Sequence, residues 1–249
     1  MSGHSKWATI KRKKEATDTK RSNMYAKLLR AVEVAVREGG GSVEGNMTLA
    51  SAVEKAKSFS VPNDNIERAI KRGAGELGDG QRYEEVVYEG YAAGGIALLI
   101  EALTDNRNRT AQEIRHAFSR NNGNLGETGS VAWQFTRKGV VVVEKAVAPD
   151  EERLLELALE GGAEDLSDSE SSWDIITAPA DFKTVQEALQ QAGVPVLSAE
   201  VSMVPQSTIP VGGGEAVQVL RLIEALEDID DVQNVYANFD IPEEVMAAL

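Results

Sequence analysis

The stretch GAGELGDGQ, residues 73–81, places four glycines in nine positions with no apolar periodicity, which predicts a flexible linker and divides the chain in two. Upstream of it, Met24, Leu28, Val32 and Val36 recur at helical spacing until the GGG of residues 39–41 stops the pattern. A second helix is predicted over residues 48–58 through Leu49, Val53 and Ala56, and a third over 62–72, where Pro62 and Asp64 suit a first turn. Three short helices with apolar faces make one bundle, which together with the preceding basic arm forms a domain over residues 1–75.

Downstream the texture changes. VVYEGY and GGIALLIEAL predict strands, Thr110 and Glu113 form a T-x-x-E capping box for a helix running toward Asn121, and VAWQF alternates as a further strand. From Lys138 the order is a strand GVVVVE, a helix over residues 151–160, strands near Glu164 and at SWDIIT, a helix between Pro179 and Gly193, and a strand near 196–204. That β-α-β-β-α-β order is ferredoxin-like. The tail adds a helix over 215–227 and a strand VQNVYANF that can complete the sheet begun earlier. The expected class is therefore α+β: a helical N-terminal domain, a discontinuous α/β domain over 82–136 and 205–249, and a ferredoxin-like domain over 138–204 inserted into it.

Charge is distributed as unevenly as structure. The 249 residues carry a net charge of -14, yet residues 1–75 are net +7 and the remainder is net -21. Much of the excess sits in GHSKWATIKRKKEATDTKR, residues 3–21, where Lys6, Lys11, Arg12, Lys13, Lys14, Lys20 and Arg21 face only Glu15 and Asp18. Side chains of this kind release counterions when they contact phosphates, and six such contacts to duplex DNA give a log-log salt slope of about -5. Trp7 adds an aromatic face able to stack on an unpaired base, and Arg12 can do the same.

Other chemistries find little support. The sequence has no cysteine, which removes disulfides and thiolate sites, and only two histidines, so no catalytic metal site is expected. His116 falls in a predicted helix as a surface or half-buried imidazole. No G-x-S-x-G elbow or P-loop occurs, and the glycine clusters at 39–41 and 212–214 fit helix ends. EALEDIDD, residues 224–231, lacks calcium-loop spacing and is expected to be a solvated acidic surface. No apolar run approaches the ~18 residues of a membrane span. Arg107 and Arg109 stand at a helix start, against the macrodipole, and are expected either to hold an anion or to pair with acids of a neighbouring domain.

Seven segments in order, among them GHSKWATIKRKK, VPNDNIERAIKRGAG, YEGYAAGGIALLIEALTDNRNRT, GNLGETGSVAWQFTRKG and LEDIDDVQNVYANFDI, resemble the motifs of the YebC family over essentially the full chain. The resemblance implies a three-domain α/β protein of the bacterial cytoplasm; from the motif inventory, no cofactor is expected. Its N-terminal signature lands on Gly3, His4, Ser5, Lys6 and Trp7, and its basic stretch on Lys11, Arg12, Lys13, Lys14, Lys20 and Arg21. His4 thereby becomes a contact residue for phosphate or RNA, and Lys27 on the first helix joins the set. The chain departs from the family pattern at Ser22 and in GGGSVEGNMTLA, where arginines of the second helix are missing.

Members of that family are described as DNA-binding transcriptional regulators, and it includes a mitochondrial translational activator of cytochrome c oxidase. Two functions are therefore carried forward: a DNA-binding regulator of transcription, and a translation factor on rRNA or mRNA. No helix-turn-helix with base-contacting side chains is legible. Nucleic acid is the expected partner; a membrane, a small-molecule substrate and an enzymatic activity are not expected.

Overall fold

The structure is a computed structural model and describes residues 18–77, 82–148, 150–169 and 171–242. Three helices open it: α1 (Asp18–Gly39), α2 (Met47–Ser58) and α3 (Asn63–Gly73). Leu28, Val32, Ala35 and Val36 form one stripe of α1 and bury against Leu49, Val53 and Ala56 of α2 and Ile66 and Ala69 of α3. Each fully buried Val, Leu or Ile side chain among them contributes about 1.5–3 kcal/mol. Asn46 couples two of the helices: its Oδ1 accepts from Leu49 N at 3.0 Å as an N-cap, and its Nδ2 donates to Ala35 O at 2.7 Å.

Gly73, expected to begin the linker, instead ends α3 and is buried. A Cβ there would lie 2.6 Å from Glu33 O of α1, so the glycine is needed for helix contact rather than for chain freedom. Residues 74–77 form a turn, and the rest of the expected linker lies outside the described residues.

The middle domain is a four-stranded antiparallel sheet of order β3-β1-β2-β9, built from β1 (Glu84–Tyr91), β2 (Ala97–Thr104), β3 (Asn124–Leu125) and, from far along the chain, β9 (Val232–Ala237). Two helices, α4 (Arg107–Arg120) and α7 (Gly213–Glu227), pack Ile114, Phe118, Leu220 and Ile223 on Leu98 and Ile100 of β2. The opposite face holds Ala97, Leu99, Val131, Phe135 and Tyr236. With both faces covered, β2 reads as a nearly continuous apolar run rather than an alternating one.

Between these parts lies the inserted domain: β4 (Phe135–Glu144), α5 (Glu151–Glu160), β5 (Ala163–Asp168), β6 (Ser172–Thr177), α6 (Phe182–Gln191) and β7 (Ser198–Pro205). Its antiparallel order, β5-β6-β4-β7, is the ferredoxin-like arrangement of a β-α-β-β-α-β chain. Val141, Val143 and Ile175 of the sheet bury against Leu154, Leu157, Val185 and Leu189 of the two helices. The chain leaves the middle domain along β4 and returns along β7, which pair from Phe135↔Pro205 to Val142↔Ser198. β4 runs through residue 137 without a break, so paired strands rather than loops join the two α/β domains. A short parallel pair, β8 (Ile209–Pro210) with β10 (Phe239–Asp240), closes the tail.

Two local expectations fail. VAWQF is not a strand: Ala132–Gln134 is a turn of 3-10 helix, and β4 begins only at Phe135. Thr110 and Glu113 do not cap α4 either, because Asn106 does so, its Oδ1 accepting from Arg109 N at 3.2 Å. The first departure traces to a buried carboxylate, described next, and the second to a helix that starts at Arg107, three residues before Thr110.

Candidate nucleic-acid interface and the junction behind it

Most of the expected contact residues, His4, Lys6, Trp7, Lys11, Arg12, Lys13 and Lys14, lie outside the described residues, as do the side chains of Lys20 and Arg21, whose backbone belongs to α1. Lys27, Arg107 and Arg109 are placed: Lys27 reaches across to the middle domain, whereas Arg107 and Arg109 pair with acids of their own domain, not of a neighbouring one. Lys27 Nζ donates to the carbonyl of Glu227, at the negative end of the α7 dipole. One turn further along α1, Arg30 donates through Nη1 to Leu103 O at 3.2 Å, Asp230 O at 2.9 Å and Asp231 Oδ1 at 3.0 Å. Its guanidinium also lies 4.8 Å from the centroid of the Tyr83 ring.

Asp231 is the centre of this junction. Its other oxygen accepts from Arg109 Nη2 at 2.7 Å and from Thr110 Oγ1 at 2.7 Å, with Thr104 Oγ1 at 3.2 Å. Arg109 reaches Asp105 as well, at 2.8 Å. A β-bulge places the carboxylate there: Ala102 pairs with Val232 and Glu101 with Asn234, leaving Gln233 as the extra residue. Burial pushes the Asp231 carboxyl up, but the hydrogen bonds of Arg109 and Thr110 and the charges of Arg109 and Arg30 outweigh it, and its pKa falls below the usual carboxylate range. The same pairing raises the pKa of Arg109.

EALEDIDD is thus not a uniformly solvated surface: Asp228 and Asp230 are exposed, whereas Asp231 is a buried clasp between the helical and middle domains. Arg107 has a looser role, 3.7 Å from Glu84 with both side chains exposed, and its carbonyl accepts from the Tyr88 hydroxyl. His116 is exposed on α4. Among the described residues, no group of three or more His, Asp or Glu side chains could hold a metal ion, and no helix is long and apolar enough to cross a membrane.

A cleft of about 1280 Å³ opens between α1, α2, the middle sheet and the ferredoxin-like domain. Nine carboxylates and four cations line it, Glu38, Glu85, Glu101 and Glu227 among the former. A phosphate backbone would be repelled there.

The second buried carboxylate, Glu89 of β1, organises the loop from Gly126 to Gln134. Its Oε1 accepts from Gly129 N at 2.6 Å and its Oε2 from Val131 N and Ala132 N at 2.7 and 2.8 Å. Burial raises its pKa, but these three backbone donors outweigh that and hold it below the usual range. In the sequence, Trp133 reads as a strand residue and Glu89 has no assigned role. Replacing Glu89 by Ala leaves the buried Val131 N–H unpaired and is expected to destabilise the protein by about 2 kcal/mol in urea unfolding.

This geometry defines a class: an α+β protein whose helical domain is clasped to a split α/β domain that carries a ferredoxin-like insertion. Residues 5–76 match the family model described as the TACO1/YebC protein N-terminal domain, and residues 83–239 match that of the TACO1/YebC second and third domain. The chain belongs to the TACO1/YebC family. A relative from Syntrophus aciditrophicus, named a probable transcriptional regulatory protein, is 53% identical over 100% of this chain and 99% of its own. One of the same name from Rubrobacter xylanophilus is 56% identical over 99% of this chain and 98% of its own. The crystal structure of a conserved hypothetical protein from Aquifex aeolicus matches with a TM-score of 0.79 at 47% identity, covering 92% of this chain and 93% of that one.

Proposed function

We propose that this protein is a nucleic-acid-binding regulator of gene expression in the cytoplasm, acting as a DNA-binding regulator of transcription through its basic arm and first helix. The observation that carries this is the separation of charge: a net +7 first 75 residues on a body of net -21. The names of full-length relatives, probable transcriptional regulatory proteins, support the transcriptional level. Phosphate contacts come from Lys6, Lys11, Arg12, Lys13, Lys14, Lys20 and Arg21, with His4 and Trp7 beside them. The acidic body limits how nucleic acid can lie against it.

Promoter fragments from the source genome are expected to bind more than tenfold tighter than random duplex of equal length at physiological salt. Equal affinity would remove the transcriptional assignment. The alternative is a translation factor on rRNA or mRNA, favoured by the exposed Trp133, which suits an unpaired base better than a duplex. Crosslinking in cells, with sequencing of both attached RNA and attached DNA, separates the two: promoters are enriched in one case and rRNA or mRNA in the other.

A further inference from the structure

Trp133 is 68% exposed, although burying an indole is among the more favourable things a fold can do with one. Its position is built. Val131 and Phe135 on either side are buried, so the intervening 3-10 turn is anchored at both ends and projects the ring outward. Glu89 fixes the backbone leading into that turn through the N–H groups of Gly129, Val131 and Ala132. The indole Nε1 donates to Ser130 O at 3.1 Å, a carbonyl that also accepts from the Tyr91 hydroxyl at 2.9 Å. Gln206 Nε2 donates to the carbonyl of Trp133 at 3.1 Å.

These bonds occupy the polar edge of the ring and orient it before any ligand arrives. What is left for a partner is the π-face. Two side-chain amides are tied to the turn, Gln206 through the Trp133 carbonyl and Gln134, whose Oε1 accepts from the buried Asn238 Nδ2 at 3.2 Å. A protein-binding hot spot sits within apolar contacts that exclude water, whereas an oriented aromatic face beside amide side chains suits a base, which stacks and then hydrogen-bonds along its edge.

We propose that Trp133 is a stacking platform for an unpaired nucleobase, supplied by single-stranded RNA or by locally opened DNA. The proposal rests on the nucleic-acid reading above and adds a second contact point, in a different domain from the basic arm. Phosphates are held by the arm; the base is held by Trp133.

The test uses the full chain, with fluorescence anisotropy on labelled oligouridylate, oligothymidylate of the same length, and duplex DNA. W133A is expected to lose about tenfold in affinity for one or both single strands, with the salt dependence and the duplex affinity unchanged. W133F retains most of the wild-type affinity because a ring remains to stack. The probe that suffers the larger loss identifies the source of the base. Because the ring faces solvent, W133A keeps the wild-type thermal midpoint. Unchanged single-strand affinity in W133A, or an equal loss on all three probes, overturns the stacking role and leaves the arm's function standing. A wild-type protein that binds none of the three probes overturns both.

Discussion

Asp231→Ala is expected to lower the stability of the protein by about 3 kcal/mol, close to the lower limit for breaking one side of a buried ion pair. The lower limit applies because the partners differ in their access to water. Arg109 is 45% exposed and can be rehydrated when Asp231 is gone, whereas Arg30 is 18% exposed and keeps two carbonyls and the Tyr83 ring but no counter-charge in this junction. Thr104 and Thr110 also lose an acceptor inside the fold. At this chain length the loss corresponds to a fall of about 6–12 °C in thermal midpoint, measured by circular dichroism. Arg109→Ala, which removes only the half-exposed partner, should cost about 1 kcal/mol. A midpoint for Asp231→Ala within error of wild type would mean that the clasp contributes nothing.

The pH dependence has a fixed sign. A carboxyl whose pKa is depressed on folding stabilises the native state above its unfolded value, about 3.9 for Asp. That contribution is lost as the pH falls through the lower, folded value. The stability difference between wild type and Asp231→Ala should therefore be constant from about pH 5 to 8 and shrink on acidification below about pH 4. Denaturant titrations across that range measure it.

The fold and the interface differed in how far the sequence disclosed them. Elements whose signals are local emerged with close bounds: the helix Glu151–Glu160, capped by Asp150, and the strand Ser172–Thr177. The discontinuous middle domain was only hinted at by element order: the β-α-β-β-α-β unit is complete by residue 205, so the helix and strand after it could complete the sheet begun at residue 84. What escaped depended on partners far along the chain. VAWQF alternates like a strand, but a carboxylate some forty residues earlier captures its amides and winds it into a turn. Asp231 was one of five acids in eight residues, and only the bulge opposite Glu101 turns it inward onto Arg30 and Arg109. Charge counts along a sequence register how many acids a segment has, not which of them faces a guanidinium.

The largest effect is expected from reversing the charge of Lys11, Arg12, Lys13 and Lys14 together to Glu, which takes residues 3–21 from net +5 to net -3. Each phosphate contact to duplex contributes about 0.9 to the log-log salt slope, so loss of four should flatten it by about 3 to 4. Affinity should fall by at least about a hundredfold at low salt, where those contacts contribute most. Two effects are superimposed in that number, lost contacts and new repulsion from an arm that now shares the sign of the body. Replacing the same four residues by Gln separates them: the slope should flatten equally, while affinity falls less than in the Glu variant. Lys27 and Arg109 provide the contrast within the same molecule, because their donors are already engaged by Glu227 and Asp231. Lys27→Gln should therefore leave the salt slope nearly as in wild type. If the quadruple Glu variant bound nucleic acid as the wild type does, with the same salt slope, the arm would not be the phosphate-binding element. The cleft between the domains would not take over that role, since its nine carboxylates outnumber its four cations and would repel phosphates.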